Sequence, residues 1–86
     1  MDIIKVKASS RTAAVAGAIA GVIREHKYAE VQAIGAGAVN QSVKALVLAT
    51  GYLAEDGIAV VCIPEFVDVD IDGKVRTAVK LVIEPR

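Results

Sequence analysis

Hydrophobic and polar positions along the chain divide it into six segments. Ile3 to Ala8 alternates, with Ile4, Val6 and Ala8 on one side and Ile3, Lys5 and Lys7 on the other, which predicts a strand. Ser9-Ser10-Arg11-Thr12 breaks the alternation, and either serine is suited to cap the helix that follows. Thr12 to His26 has helical periodicity, with Val15, Ile19, Val22 and Ile23 as its core stripe. Ala14, Gly17, Ala18 and Gly21 form a second, small-residue face. Two glycines inside a helix each cost about 1 kcal/mol against alanine, so this face is expected to admit another backbone closely. Glu30 to Ile34 reads as a second strand. Gly35-Ala36-Gly37 turns into a second helix over Ala38–Leu53, with Val39, Val43, Leu46, Val47 and Thr50 as its expected buried stripe. After Asp56-Gly57, the apolar run Ile58–Ile63 has the pattern of a central strand, which Pro64 interrupts. Phe66 to Ile71 alternates, Asp72-Gly73 is a strong hairpin signal, and Val75 to Ile83 returns as the last strand.

The order strand, helix, strand, helix, strand, strand implies two crossover units, a parallel pair of first strands and a closing antiparallel hairpin. Several strands have one apolar and one polar face, so both helices are expected on one side of the sheet. Lys5, Lys7, Gln32, Arg76 and Lys80 would then share the open face. The class is an α/β two-layer sandwich, built as a single domain over residues 1–86.

Composition narrows this further. The chain has 86 residues, 55% of them hydrophobic, yet only Tyr28, Tyr52 and Phe66 are aromatic. Such apolar content is incompatible with disorder. The longest apolar or glycine stretch, Ala13–Ile23, is shorter than the roughly 20 residues of a membrane span. The start lacks the pattern of a signal peptide, and the expected compartment is the cytoplasm. The single cysteine, Cys62, excludes an internal disulfide and a paired-cysteine zinc site. Ten basic residues balance ten acidic ones, which argues against avid non-specific coating of nucleic acid. So much small apolar surface on a short chain points to a homo-oligomer, a dimer foremost. Leu48 and Tyr52 on the outer side of the second helix are its candidate contacts.

The residues do not assemble a catalytic centre, and no cofactor or metal is expected. The only histidine, His26, falls at a helix end, where a cation suits the dipole. Cys62 lies in the most apolar strand, where a thiol behaves as a small hydrophobe. Asp68-Val69-Asp70-Ile71-Asp72-Gly73 imitates the start of a calcium loop. The bidentate glutamate such a loop needs at its twelfth position is Val79 here, so a solvated acidic hairpin fits better. Gly35-Ala36-Gly37-Ala38-Val39-Asn40 has the outline of a dinucleotide fingerprint without its third glycine. A glycine turn opening a helix suits an anion; it also serves as a plain tight turn, and the sequence leaves both readings open. With parallel first strands, both helix starts fall on one sheet edge. Lys7, Ser9, Ser10, Arg11, Asn40, Gln41 and Lys44 make that edge polar and friendly to anions.

These stretches resemble the stage V sporulation protein S (SpoVS) family across essentially the whole chain. They are Ile3–Ala8, Val15–Glu25, Val31–Gln41, Cys62-Ile63-Pro64, Asp70–Gly73 and Leu81–Arg86, with the Gly-Ala-Gly-Ala segment before Asn40-Gln41 the most specific. The resemblance implies a small, non-enzymatic bacterial regulator affecting septation and coat assembly in spore formers. It also implies an Alba-like fold: a four-stranded mixed sheet with two helices on one face, in the order β-α-β-α-β-β. Alba-like proteins are typically dimers that bind DNA or RNA. Carried over, their contact positions fall on Lys7, Ser9, Ser10 and Arg11 in the first loop and on Gly35 and Gly37 in the second. Asn40 and Lys44 follow on the second helix, and Lys74 and Arg76 stand beyond the hairpin turn. Two departures stand out. Ser9-Ser10 and Ala36 stand where the basic Alba chromatin proteins often carry a lysine pair and an arginine, and Asp68, Asp70 and Asp72 crowd the hairpin. The expectation is a nucleic-acid-binding regulator working through the helix-start loops. The alternative is a protein-interaction module that uses the acidic hairpin and the small-residue helix face. A third reading, an enzyme acting on a phosphate-bearing molecule at Gly35–Gly37, lacks an acid–base pair.

Overall fold

The computed structural model describes residues 3–86; Met1 and Asp2, part of the start read for a leader, lie outside them. The order is β1 (Ile4–Val6), α1 (Thr12–His26), β2 (Ala29–Ala33), α2 (Ala36–Ala54), β3 (Val60–Ile71) and β4 (Lys74–Pro85). The strands form one four-stranded sheet in the order β1-β2-β4-β3. β1 and β2 are parallel, as two crossover units demand, and the other pairs are antiparallel. α1 packs on β1, β2 and β4, and α2 on β1 and β2, so both helices cover the same face. The result is the expected α/β two-layer sandwich, a four-stranded mixed sheet with two helices on one face. No helix among the described residues is long and apolar enough to cross a membrane.

The core lies between the helices and the side of the sheet that carries Val6, Ala29, Val31, Leu81 and Ile83. α1 contributes Val15, Ala16, Ile19, Ala20 and Ile23, while Val22 is only partly buried. It ends at Lys27, which takes a left-handed conformation (φ 61°) and donates its N–H to the Ile23 carbonyl at 2.9 Å. α2 buries Ala38, Ser42, Ala45, Ala49 and Leu53. This overturns the expected stripe: Val43, Val47 and Thr50 are exposed, and only Val39 and Leu46 are partly buried. Small side chains let α2 settle close on α1 and the sheet, and the bulkier valines are left outside. The one buried polar side chain among them, Ser42, donates its hydroxyl to the Ala38 carbonyl at 2.8 Å and so leaves no unsatisfied group.

Two further expectations are corrected. The run beginning at Ile58 is not a central strand. β3 is an edge strand paired only with β4, and the central strands are β2 and β4. Pro64 does not stop it, because an edge strand leaves one row of N–H groups without ladder partners, and a proline is tolerated there. The small-residue face of α1 does not receive another backbone within the chain: a Cβ added at Gly17 or Gly21 would meet open space.

β4 pairs with β2 only over Val79–Ile83, whereas it pairs with β3 over its whole length. Beyond Val79 the hairpin therefore continues as a two-stranded arm. Asp72 (φ 51°) and Gly73 (φ 79°) form its two-residue turn, the conformation that Asp-Gly favours.

Candidate functional site

Parallel β1 and β2 deliver both helix starts to the same edge, and the two loops are tied together there. Gln41 Nε2 donates to the Ser10 carbonyl at 2.8 Å. Gly37 lies against Ala8 so closely that a Cβ at Gly37 would stand 2.8 Å from the Ala8 Cβ. Gly35 adopts φ 91°, a conformation that L side chains rarely take, and so turns the chain into α2. The structure thus brings Lys7, Ser9, Ser10, Arg11, Gly35 and Gly37 to one edge, with Asn40 and Lys44 exposed on the first turns of α2.

Neither serine caps α1. Arg11 occupies the capping position with extended backbone, and the Ser10 hydroxyl instead accepts the Lys7 N–H at 2.8 Å. The Ser10 N–H returns to the Lys7 carbonyl at 3.0 Å, so the loop closes on itself before the helix begins. Neither helix has a side-chain cap, and neither has an acidic residue in its first turn. Their opening N–H groups, at the positive ends of two helix dipoles, are left without side-chain acceptors, an arrangement that favours anions.

Lys74 and Arg76 stand apart from this edge, on the arm. In the ladder Arg76 lies opposite Val69 and Lys74 opposite Ile71, whereas Asp68 lies opposite Thr77 and Asp70 opposite Val75. Directly opposed residues share a face and successive residues alternate. The arm therefore sorts its charges, with Lys74 and Arg76 on one side and Asp68 and Asp70 on the other. Asp70 Oδ1 accepts the Gly73 N–H at 3.0 Å, and Asp68 Oδ1 accepts from the Thr77 hydroxyl at 3.4 Å. That separation takes Asp68 and Asp70 off the basic side and leaves Asp72 in the turn.

The basic side of the arm continues the open face of the sheet. There Lys5, Lys7, Gln32, Ile34, Val69 and Ile71 line a groove of about 330 Å³, with Val6, Ala8 and Asp70 completing its wall. Lys80, expected as another open-face cation, is neutralised: its Nζ lies 3.0 Å from Glu65 and 3.7 Å from Glu30. Its hydrogen bond to Glu65 holds the ammonium above the usual lysine range, against the opposing effect of desolvation. Tyr28 donates to Glu30 at 2.8 Å, and that bond, helped by burial, pushes the phenol up.

His26 is exposed in the last turn of α1, with Nε2 4.0 Å from Glu25. Cys62 is half-buried against the core, and burial pushes its thiol up, away from the reactive thiolate. Among the described residues no cluster of histidine, cysteine and carboxylate side chains could hold a metal. Leu48 is exposed on α2, but Tyr52 is half-buried against the core, and its carbonyl receives Arg24 Nη2 at 3.4 Å. From its residue type alone Gln41 only lends polarity to the edge, whereas its amide ties the two loops together. Ile34, Val69 and Ile71 have no shared role along the sequence, because the groove they line forms between segments that come together only in the fold.

The family model for stage V sporulation protein S (SpoVS) matches residues 2–86, essentially the whole chain.

Proposed function

The chain belongs to the SpoVS family, and on that premise we propose that it is a non-enzymatic, cytoplasmic regulator that binds nucleic acid through the edge formed by its two helix starts. The observation that supports this reading most is the junction of the loops. Gln41 and the Ala8–Gly37 contact fix two uncapped helix N-termini side by side, with Lys7 and Arg11 around them. Phosphates would be held by backbone N–H groups and a few cations, which gives modest affinity that depends on salt. Fluorescence anisotropy with labelled DNA and RNA at low salt tests it. Arg11→Glu is expected to weaken binding across sequences and to make the log–log salt slope shallower by about 1. Absent or salt-independent binding to both nucleic acids would sink the reading.

A partner-protein reading draws on a separate observation. The acidic side of the arm also carries Phe66, 81% exposed, and Val75, 68% exposed. Replacing Asp68 and Asp70 with asparagine should then lose protein partners in pull-downs while leaving oligonucleotide binding intact.

The proposal includes a homodimer. With Tyr52 half-buried, its contacts shift to Val43, Val47 and Leu48, the large apolar side chains exposed along α2. Lys44 stands among them, so Arg11 is the cleaner probe of nucleic-acid binding.

A further inference from the structure

The open-face groove is a second feature suited to nucleic acid, and its chemistry differs from that of the helix-start edge. Ile34, Val69 and Ile71 give it an apolar lining, and its polar residues are Lys5, Lys7, Gln32 and Asp70. Opposite Val69 and Ile71 in the ladder, on the same side of the arm, stand Arg76 and Lys74. Two cations thus line the recess and two more stand on the same side of the arm, while its one carboxylate, Asp70, alternates to the other side and accepts the Gly73 N–H. At about 330 Å³, the recess is at the low end of the roughly 300–1,000 Å³ that holds small ligands.

We infer that this groove takes single-stranded nucleic acid, one unstacked base resting between Ile34 and the arm while the flanking phosphates lie on Lys5, Lys7, Lys74 and Arg76. The inference rests on the nucleic-acid reading and specifies it. A duplex keeps its bases inside the stack and presents phosphates on a convex surface, so it has nothing to insert into a recess of this size. A single strand can splay a base out, and its faces accept apolar side chains or an arginine plane without regard to sequence. The Gln32 amide offers both a donor and an acceptor to the base edge. Lys7 belongs to both the groove and the first helix-start loop, so a strand leaving the groove passes directly to that edge.

The test compares fluorescein-labelled single-stranded DNA and RNA of mixed sequence with the corresponding duplexes, by anisotropy over a salt series. Lys5 and Arg76 are exposed and make no hydrogen bond or ion pair among the described residues, so Lys5→Gln/Arg76→Gln should fold as the parent does. The parent is expected to bind single strands more tightly than duplexes. The double variant should make the single-strand salt slope shallower by about 1.4, from about 0.7 per phosphate contact, and leave the duplex slope unchanged. Lys5→Glu/Arg76→Glu should enlarge the same selective loss. Unchanged single-strand binding, or equal loss for strand and duplex, overturns the groove while leaving the helix-start edge standing. Failure of every oligonucleotide to bind overturns the nucleic-acid reading itself.

Discussion

Glycines in this chain occupy opposite environments, and single substitutions should separate them. At Gly37 a new Cβ would lie 2.8 Å from the Ala8 Cβ, so one helix-start loop must move away from the other. Overpacking costs about 1–3 kcal/mol, more than the gain of up to about 1 kcal/mol from replacing glycine in a helix. Gly37→Ala should therefore lower the urea midpoint. Gly17→Ala meets open space on α1 and should raise it, through a gain of about 0.4–1 kcal/mol in unfolding free energy. Equal shifts would contradict the close approach at Ala8. A second residue-scale effect concerns pH. Lys80 and Tyr28 both bind their protons more tightly folded than unfolded, Lys80 through Glu65 and Tyr28 through Glu30. Their stabilisation is complete below the ordinary tyrosine and lysine values, about 10 and 10.4, and is lost as pH rises through the raised ones. The urea midpoint should fall above about pH 10, and Tyr28→Phe/Lys80→Met should flatten that fall. An alkaline limb as steep in the double variant as in the parent would place its cause elsewhere.

Among the elements, α2 carries the largest correction and an immediate check. Leu53 is fully buried, whereas Val47 is 65% exposed. Leu53→Ala should cost about 2–5 kcal/mol in urea unfolding, and Val47→Ala, read at dilutions where the protein is monomeric, within about 0.5 kcal/mol of nothing. A large loss at Val47 would restore the valine stripe to the core. The Asp72-Gly73 turn was readable because positive φ is set within a few neighbouring residues, and the bounds of α1 because its helical periodicity starts and stops sharply. The serine cap was not, since the Ser10 hydroxyl takes the Lys7 N–H instead. The buried face of α2 was not readable either. Hydropathy favours valine over alanine, but the spacing between α2 and its neighbours decides which of the two fits, and that spacing is tertiary. The position of β3 was hidden for a similar reason: Val60, Val61 and Ile63 have the composition of a central strand, while Pro64 obeys the constraint of an edge. The helix-start edge was readable because two parallel crossovers leave one place for Arg11 and Gly35. The sorting of Arg76 from Asp70 needed the ladder register, which alternation along one strand cannot supply.

At the scale of the whole molecule, the two long strands set the shape. Twelve residues at about 3.3 Å each span roughly 40 Å, and the longest dimension is 42 Å against 21 and 17 Å for the others. The zero net charge is spread unevenly over this elongated body. Cations gather on the helix-start edge and the open face, and the aspartates on the far side of the arm, so local binding is compatible with overall neutrality. A two-stranded ribbon is only marginally stable by itself in water, and this arm leaves Phe66 and Val75 largely exposed. α2 adds Val43, Val47 and Leu48 to the exposed apolar surface. Two copies meeting along α2 would remove its part of that surface from water, at about 25 cal/mol per Å². Val47 and Leu48 are exposed, so charging them should break the contact without unfolding the monomer. The parent should sediment at twice the monomer mass and dissociate on dilution. Val47→Glu/Leu48→Glu should sediment as a monomer with an unchanged circular dichroism spectrum. A parent that remains monomeric at high concentration would remove the dimer, and a double variant that remains dimeric would move the interface to the arm.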